Sequence, residues 1–122
     1  MMKVYYVDDE PDLLELFADA FQGPGLEITC FGEPEAALKA IAENPPDLVF
    51  LDHGLPGMTG LEVAERMPAH LPKALVTGDV HLKVGPGFRA VFSKPFDLEE
   101  VDEFLKSFKE TKAPPPAQTR AE

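Results

Sequence analysis

The sequence has a single cysteine, Cys30, so no disulfide can form within the chain and no cysteine-based zinc site is available. It has no apolar run long enough to span a bilayer. Its first residues, MMKVYYVDDE, lack the apolar stretch of a signal peptide and already read as a strand. Positive charge is scarce: 11 Lys and Arg stand against 22 Asp and Glu, a formal net charge of −11. So acidic a surface repels nucleic acid and anionic membrane, and any DNA contact would need another domain. Neither nucleic acid nor membrane is therefore expected as a direct partner, and the expected location is cytoplasmic. His53, His70 and His81 share no metal-ligand spacing and read as surface residues, and Cys30 reads as a small buried hydrophobe. The 122 residues, 44% of them hydrophobic, suit one domain with a real core.

What is present alternates between two patterns. Val4 to Val7, Leu26 to Phe31, Leu48 to Leu51, Ala74 to Val76 and Ala90 to Phe92 are short β-favouring apolar runs. Between the first four lie stretches with apolar residues at helical spacing: Leu13, Leu16, Phe17, Ala20 and Phe21; then Ala37, Leu38 and Ile41; then Gly60 to Met67. Pro11 and Pro34 suit first helical turns, and Asp97 with Glu100 reads as a capping box for a last helix carrying Leu98, Val101, Phe104, Leu105 and Phe108. Strand and helix patterns alternating throughout predict β-α-β units, hence one parallel sheet between two helix layers. From Ala113 the stretch APPPAQTRAE has no apolar pattern and is set apart as a proline-rich tail or truncated linker, 113–122, after a domain at 1–112.

In such folds ligands bind beyond the carboxyl ends of the strands, where the strand order reverses. The polar residues collect at those ends. Asp8 and Asp9 follow the first strand, Asp52 ends the third, Thr77 the fourth and Lys94 the fifth. Three carboxylates this close repel one another and call for a bound cation or raised pKa values. Oxygen donors without His or Cys favour a hard ion, Mg²⁺. One nucleophilic carboxylate, one metal, one cation (Lys94) and one hydroxyl (Thr77) suit phosphoryl transfer, in which positioning and charge neutralisation do most of the work. Each residue alone has a plainer reading: Asp8 to Glu10 as helix-start acids, Asp52 as a turn residue, Thr77 and Lys94 as ordinary strand ends.

The segments VDDEPD, LVFLDHGLPGMTGLEV, ALVTGD and FSKPFD resemble, in order and placement, the four signature stretches of bacterial response-regulator receiver domains. The resemblance runs from about Lys3 to Thr111. It implies a flavodoxin-like, doubly wound α/β fold: a five-stranded parallel sheet in the order 2-1-3-4-5. It implies that Asp52 is the phosphoacceptor, with Lys94 and Thr77 contacting the phosphoryl group. Mg²⁺ would be held directly by Asp9 and Asp52, through water by Asp8, and by the backbone carbonyl of Gly54. The donor would be a histidine kinase or phosphotransfer protein, and the phosphorylated state would pass to an output protein or effector domain. The chain would catalyse only its own phosphorylation and dephosphorylation. The bond before the matching proline is usually cis, so Lys94–Pro95 is expected to be cis.

Two positions depart from the family pattern. Receivers usually carry Tyr or Phe three residues before the Lys; here Val91 stands there, and Phe92 beside it points to the opposite face. Only residues 78 to 93 separate Thr77 from Lys94, and Gly85, Pro86 and Gly87 interrupt them, so the helix between the fourth and fifth strands is expected to be shortened or missing. These departures keep open a divergent receiver that acts as an interaction module or phosphate sink. A Mg²⁺-dependent phosphohydrolase of the haloacid dehalogenase type would place a second Asp two residues after the nucleophile, and Gly54 stands there instead.

Overall fold

The structure is a computed structural model that describes residues 2–112 apart from 56, 80, 85, 86 and 96. The tail from Ala113 onward lies outside the described residues. The elements run β1 (Met2–Val7), α1 (Pro11–Phe21), β2 (Leu26–Phe31), α2 (Pro34–Glu43), β3 (Leu48–Asp52), α3 (Gly60–Glu65), β4 (Lys73–Thr77), β5 (Phe88–Ser93) and α4 (Leu98–Lys112). The sheet has the order β2-β1-β3-β4-β5, and every pair is parallel. The expected doubly wound, five-stranded fold is the fold observed.

Alternation along the strands sorts the apolar side chains into two layers. Val4, Tyr6, Leu48, Phe50, Ala74, Val76 and Phe92 pack with Phe17 and Phe21 of α1 and Val101, Leu105 and Phe108 of α4. On the other face Tyr5, Val7, Val49, Leu51 and Leu75 pack with Ala37 and Ile41 of α2 and Val63 of α3. Because both faces are covered, β3 is buried at every residue, and Leu48 to Leu51 form an unbroken apolar run before Asp52. Each large side chain fully buried in this way contributes about 1.5–3 kcal/mol of transfer free energy.

Local sequence sets the element ends. Pro11 and Pro34 open α1 and α2, where a missing N–H costs nothing. At α3 the Thr59 hydroxyl accepts from the Glu62 amide while the Glu62 carboxylate accepts from the Thr59 amide, a reciprocal cap. At α4 the Asp97 carboxylate accepts from the Glu99 amide at 2.9 Å. Lys73 opens β4 almost wholly buried, and its ammonium donates to the carbonyls of Pro68 and Leu71 at 3.0 and 2.9 Å, closing the loop after α3. Burial holds its pKa below the ordinary lysine value.

Between β4 and β5, none of the described residues is helical, as the short, glycine-rich sequence there predicts. Leu82 and Val84 from this connection pack against the α2–α3 side of the core. A register shift between Lys73 and Ala74 turns Phe88 toward that side and leaves Ala90 and Phe92 on the other. Val91 is 49% exposed on edge strand β5, while Phe92 stacks on Phe50 in the core. The two neighbours do point to opposite faces. Lys94–Pro95 is cis. Among the described residues no helix is long and apolar enough to cross a membrane.

Candidate functional site

β1 pairs with both β2 and β3, so the strand order reverses between β1 and β3. Asp8 follows β1 and Asp52 closes β3, which places both at the reversal. Backbone bonds carry the strand ends past the ladder and fix these residues. The Asp8 amide donates to Phe31 at 3.0 Å, the His53 amide to Val76 at 2.9 Å, and the Lys94 amide to Thr77 at 3.0 Å. Gly60, the first residue of α3, abuts the end of β3: a Cβ there would lie 2.7 Å from the Asp52 carbonyl oxygen.

The side chains converge on Lys94. Its ammonium lies 3.0 Å from Asp52 Oδ1, 3.1 Å from Asp8 Oδ2 and 3.6 Å from Glu10 Oε2. Asp8 is fully buried and Asp52 nearly so, while Asp9 and Glu10 face solvent. Asp8 Oδ1 accepts from the Glu10 amide at 3.0 Å, and Oδ2 also accepts from the Tyr6 hydroxyl. Thr77 is buried, and its hydroxyl accepts from the Asp79 amide at 3.0 Å. A Cβ at Gly54 would lie 3.9 Å from Asp52 Oδ2, an ordinary contact, so that approach to the carboxylate is uncrowded.

Charge in this cluster is unbalanced: four carboxylates, Asp8, Asp9, Glu10 and Asp52, surround one ammonium. Burial pushes the Asp52 carboxyl above its usual value, and the Asp8 charge adds to that; hydrogen bonds from Lys94 and the Gly54 amide only partly offset them. At Lys94 burial works against the charge, but the bonds to Asp52 and Asp8 outweigh it and hold the ammonium above its ordinary pKa. Burial first, then the bond to Asp8, pushes the Tyr6 phenol far above its usual value, so it remains a donor. A site this rich in anionic oxygen favours uptake of a proton or a cation.

Ligand oxygens of Asp8, Asp9 and Glu10 lie within 4.8 Å of one another and form a group that can hold a metal ion. The donor set is all oxygen, with neither Cys nor His in it, and fits a hard divalent cation. Asp8 and Asp9 of the expected ligands belong to this group; Glu10, which the sequence suggested only as a helix-start acid, joins them. Asp52 is tied to the group through Lys94.

A family model described as the response regulator receiver domain matches residues 4–106. The chain belongs to that family. Receiver domains of response regulators work in phosphorylation-dependent two-component signalling, and they are in general signalling domains and not enzymes. The chain is 34% identical over 106 residues to the DNA-binding response regulator MtrA of Mycolicibacterium smegmatis, covering 81% of this chain and 46% of that protein. It is 30% identical over 107 residues to the transcriptional regulatory protein KdpE of Mycobacterium tuberculosis, covering 82% and 47%. The chain thus spans about half the length of these relatives. Among solved structures it is similar to the response regulator TrrA of Thermotoga maritima in complex with Mg²⁺–BeF, with 32% identity, a TM-score of 0.78, and 88% of this chain and 99% of that chain covered. The CheY-like receiver domain of Methylobacillus flagellatus shares the fold at 22% identity and a TM-score of 0.77, covering 88% and 98%.

These relatives correct one expectation. The exclusion of nucleic acid from the partners of this receiver does not stand, because MtrA carries DNA binding in its name. The net charge of −11 belongs to these 122 residues, and they match less than half of such a protein.

Two features of the receiver site were missed in the sequence. Tyr6 read only as a core residue of β1; its period-two spacing from Asp8 puts both on one face and was a usable signal. His53 read as a surface residue, yet it is half-buried and its Nδ1 has no hydrogen-bond partner among the described residues, a placement for which no signal existed in the sequence.

Proposed function

We propose that the receiver accepts a phosphoryl group on Asp52 in a Mg²⁺-dependent reaction and returns it to water, catalysing no other chemistry. The observation that carries this reading is the pairing of a nearly buried Asp52 with Lys94 at 3.0 Å, at the point where the strand order reverses. Asp52 Oδ attacks the phosphorus of the donor, the bond to the donor's leaving group breaks, and that group departs with the electron pair. Asp9, Asp8 and the Gly54 carbonyl, with Asp52 itself, would hold Mg²⁺. Once bound, the ion offsets the carboxylate charge and neutralises charge on the transferring phosphoryl oxygens. Lys94 turns from Asp52 toward a phosphoryl oxygen, and the Thr77 hydroxyl donates to another.

The same reading assigns residues 1–112 to the receiver, 113–122 to a tail or linker, and the chain to the cytoplasm. The names of its relatives support DNA binding, by other parts of such a protein, as the output under control. Acetyl phosphate with Mg²⁺ tests the core of the proposal. One phosphoryl group per chain, released by hydroxylamine as an acyl phosphate is, supports it; no gain in mass, or a hydroxylamine-stable adduct, refutes it.

A further inference from the structure

Asp8 is a buried carboxylate whose Oδ2 has two donors, the Tyr6 hydroxyl and the Lys94 ammonium. Its Oδ1 is engaged by the Glu10 amide. Lys94 is therefore shared between two buried anions, at 3.1 Å from Asp8 and 3.0 Å from Asp52, with the exposed Glu10 farther off at 3.6 Å. If Lys94 is to reach a phosphoryl oxygen on Asp52, it must loosen its hold on Asp8. A buried carboxylate deprived of its partner is costly, and that cost opposes the movement. Tyr6 removes much of it. The phenol lies beneath the site in β1, fixed by ring contacts with Phe17 at 4.6 Å and Phe50 at 6.5 Å between centroids. It keeps its bond to Oδ2 whichever way Lys94 turns, and by drawing charge from that oxygen it weakens the competing hold on the ammonium.

We infer that Tyr6 is a positioning residue: its hydroxyl holds Asp8 so that Lys94 is released to the phosphorylated Asp52. This rests on the proposed phosphoacceptor role of Asp52. The hydroxyl bonds Asp8, whose expected link to Mg²⁺ runs through water, while the expected direct ligands are Asp9, Asp52 and the Gly54 carbonyl, so its effect falls more on the phosphoryl position than on metal binding.

The test compares wild type and Tyr6→Phe, a variant that keeps the ring and its packing. Beryllofluoride serves as the phosphoryl mimic, and its affinity in saturating Mg²⁺ is read by calorimetry. The affinity of each protein for Mg²⁺ alone is measured alongside. Tyr6→Phe is expected to bind beryllofluoride more weakly by about tenfold or more, the scale of one hydrogen bond to a charged group, with a clearly smaller change in its affinity for Mg²⁺ alone. Equal beryllofluoride affinity in the two proteins overturns the inference. So does a parallel fall in Mg²⁺ and beryllofluoride affinity, which would mark a merely structural hydroxyl. Failure of wild type itself to bind beryllofluoride would overturn the reading of Asp52, and this inference with it.

Discussion

Replacing Gly60 with alanine adds one methyl group where α3 meets the end of β3. The new Cβ would lie 2.7 Å from the Asp52 carbonyl oxygen, 3.0 Å from His53 Cα and 3.1 Å from the Asp52 carbonyl carbon. All three are backbone atoms, so no side chain can swing aside. Restoring a 3.4 Å contact to the oxygen requires a displacement of about 0.7 Å between the helix start and the strand end. In a helix with room for it, the same change would stabilise by up to about 1 kcal/mol. Overpacking costs about 1–3 kcal/mol, and with backbone atoms as the only neighbours the upper part of that range applies, so the net expectation is a loss of about 1–2 kcal/mol. Urea unfolding reads it as a lower midpoint with an unchanged slope. The strained backbone belongs to Asp52, so a shift on this scale should also slow phosphorylation by acetyl phosphate about tenfold or more. An alanine variant as stable as wild type, or more so, would show that α3 does not press on the phosphorylation site, and the reasoning would fail.

Asp9 is exposed, so Asp9→Ala should leave metal-free stability within about 0.5 kcal/mol while removing the stabilisation of about 2.7 kcal/mol that Mg²⁺ gives at a hundredfold excess over its Kd; an unchanged thermal shift with Mg²⁺ would refute the ligand assignment. Lys94→Met strips the cation from two buried carboxylates and should cost about 3 kcal/mol or more without Mg²⁺, with less lost when Mg²⁺ is present; a variant within error of wild type in both conditions would contradict it. The raised pKa of Asp52 fixes the sign of a pH effect. The folded state holds that proton more tightly than the unfolded chain does, so this contribution to stability is lost as pH rises from the ordinary 3.8 through the higher folded value. Metal-free Asp52→Asn should therefore gain on wild type over that range in urea titrations, and parallel pH profiles would rule this out.

The sheet was legible because its strands are apolar runs bounded by abrupt polar residues, and because Asp8, Asp52, Thr77 and Lys94 stand where those runs stop. β2 and α1 fall where the spacing predicts them. Strand ends shifted where burial overrode polarity: Lys73 opens β4 because its ammonium finds two carbonyls, and a lysine at a strand start gives no sign of that in the sequence. The Thr59–Glu62 cap stands in the sequence as a T-x-x-E pattern, masked by Pro56 and Gly57 just before it, which mark that stretch as a loop. Gly60 read as a helix residue; only the packed structure shows that its missing side chain admits the β3 backbone. Tyr6 was hidden by its aromatic ring, which fits the core equally well without a polar role. Partners on nucleic acid were not legible because net charge is a property of these 122 residues, while relatives such as MtrA are about twice as long.

Chemical mapping of the phosphorylated residue reads out the acceptor itself. Borohydride reduces an aspartyl phosphate to homoserine, which marks the acceptor in the sequence. After reaction with acetyl phosphate and Mg²⁺, the peptide spanning β3 should carry homoserine at position 52, and Asp52→Asn should carry none anywhere. Homoserine at position 8 or 9, or equal incorporation in Asp52→Asn, would contradict the account.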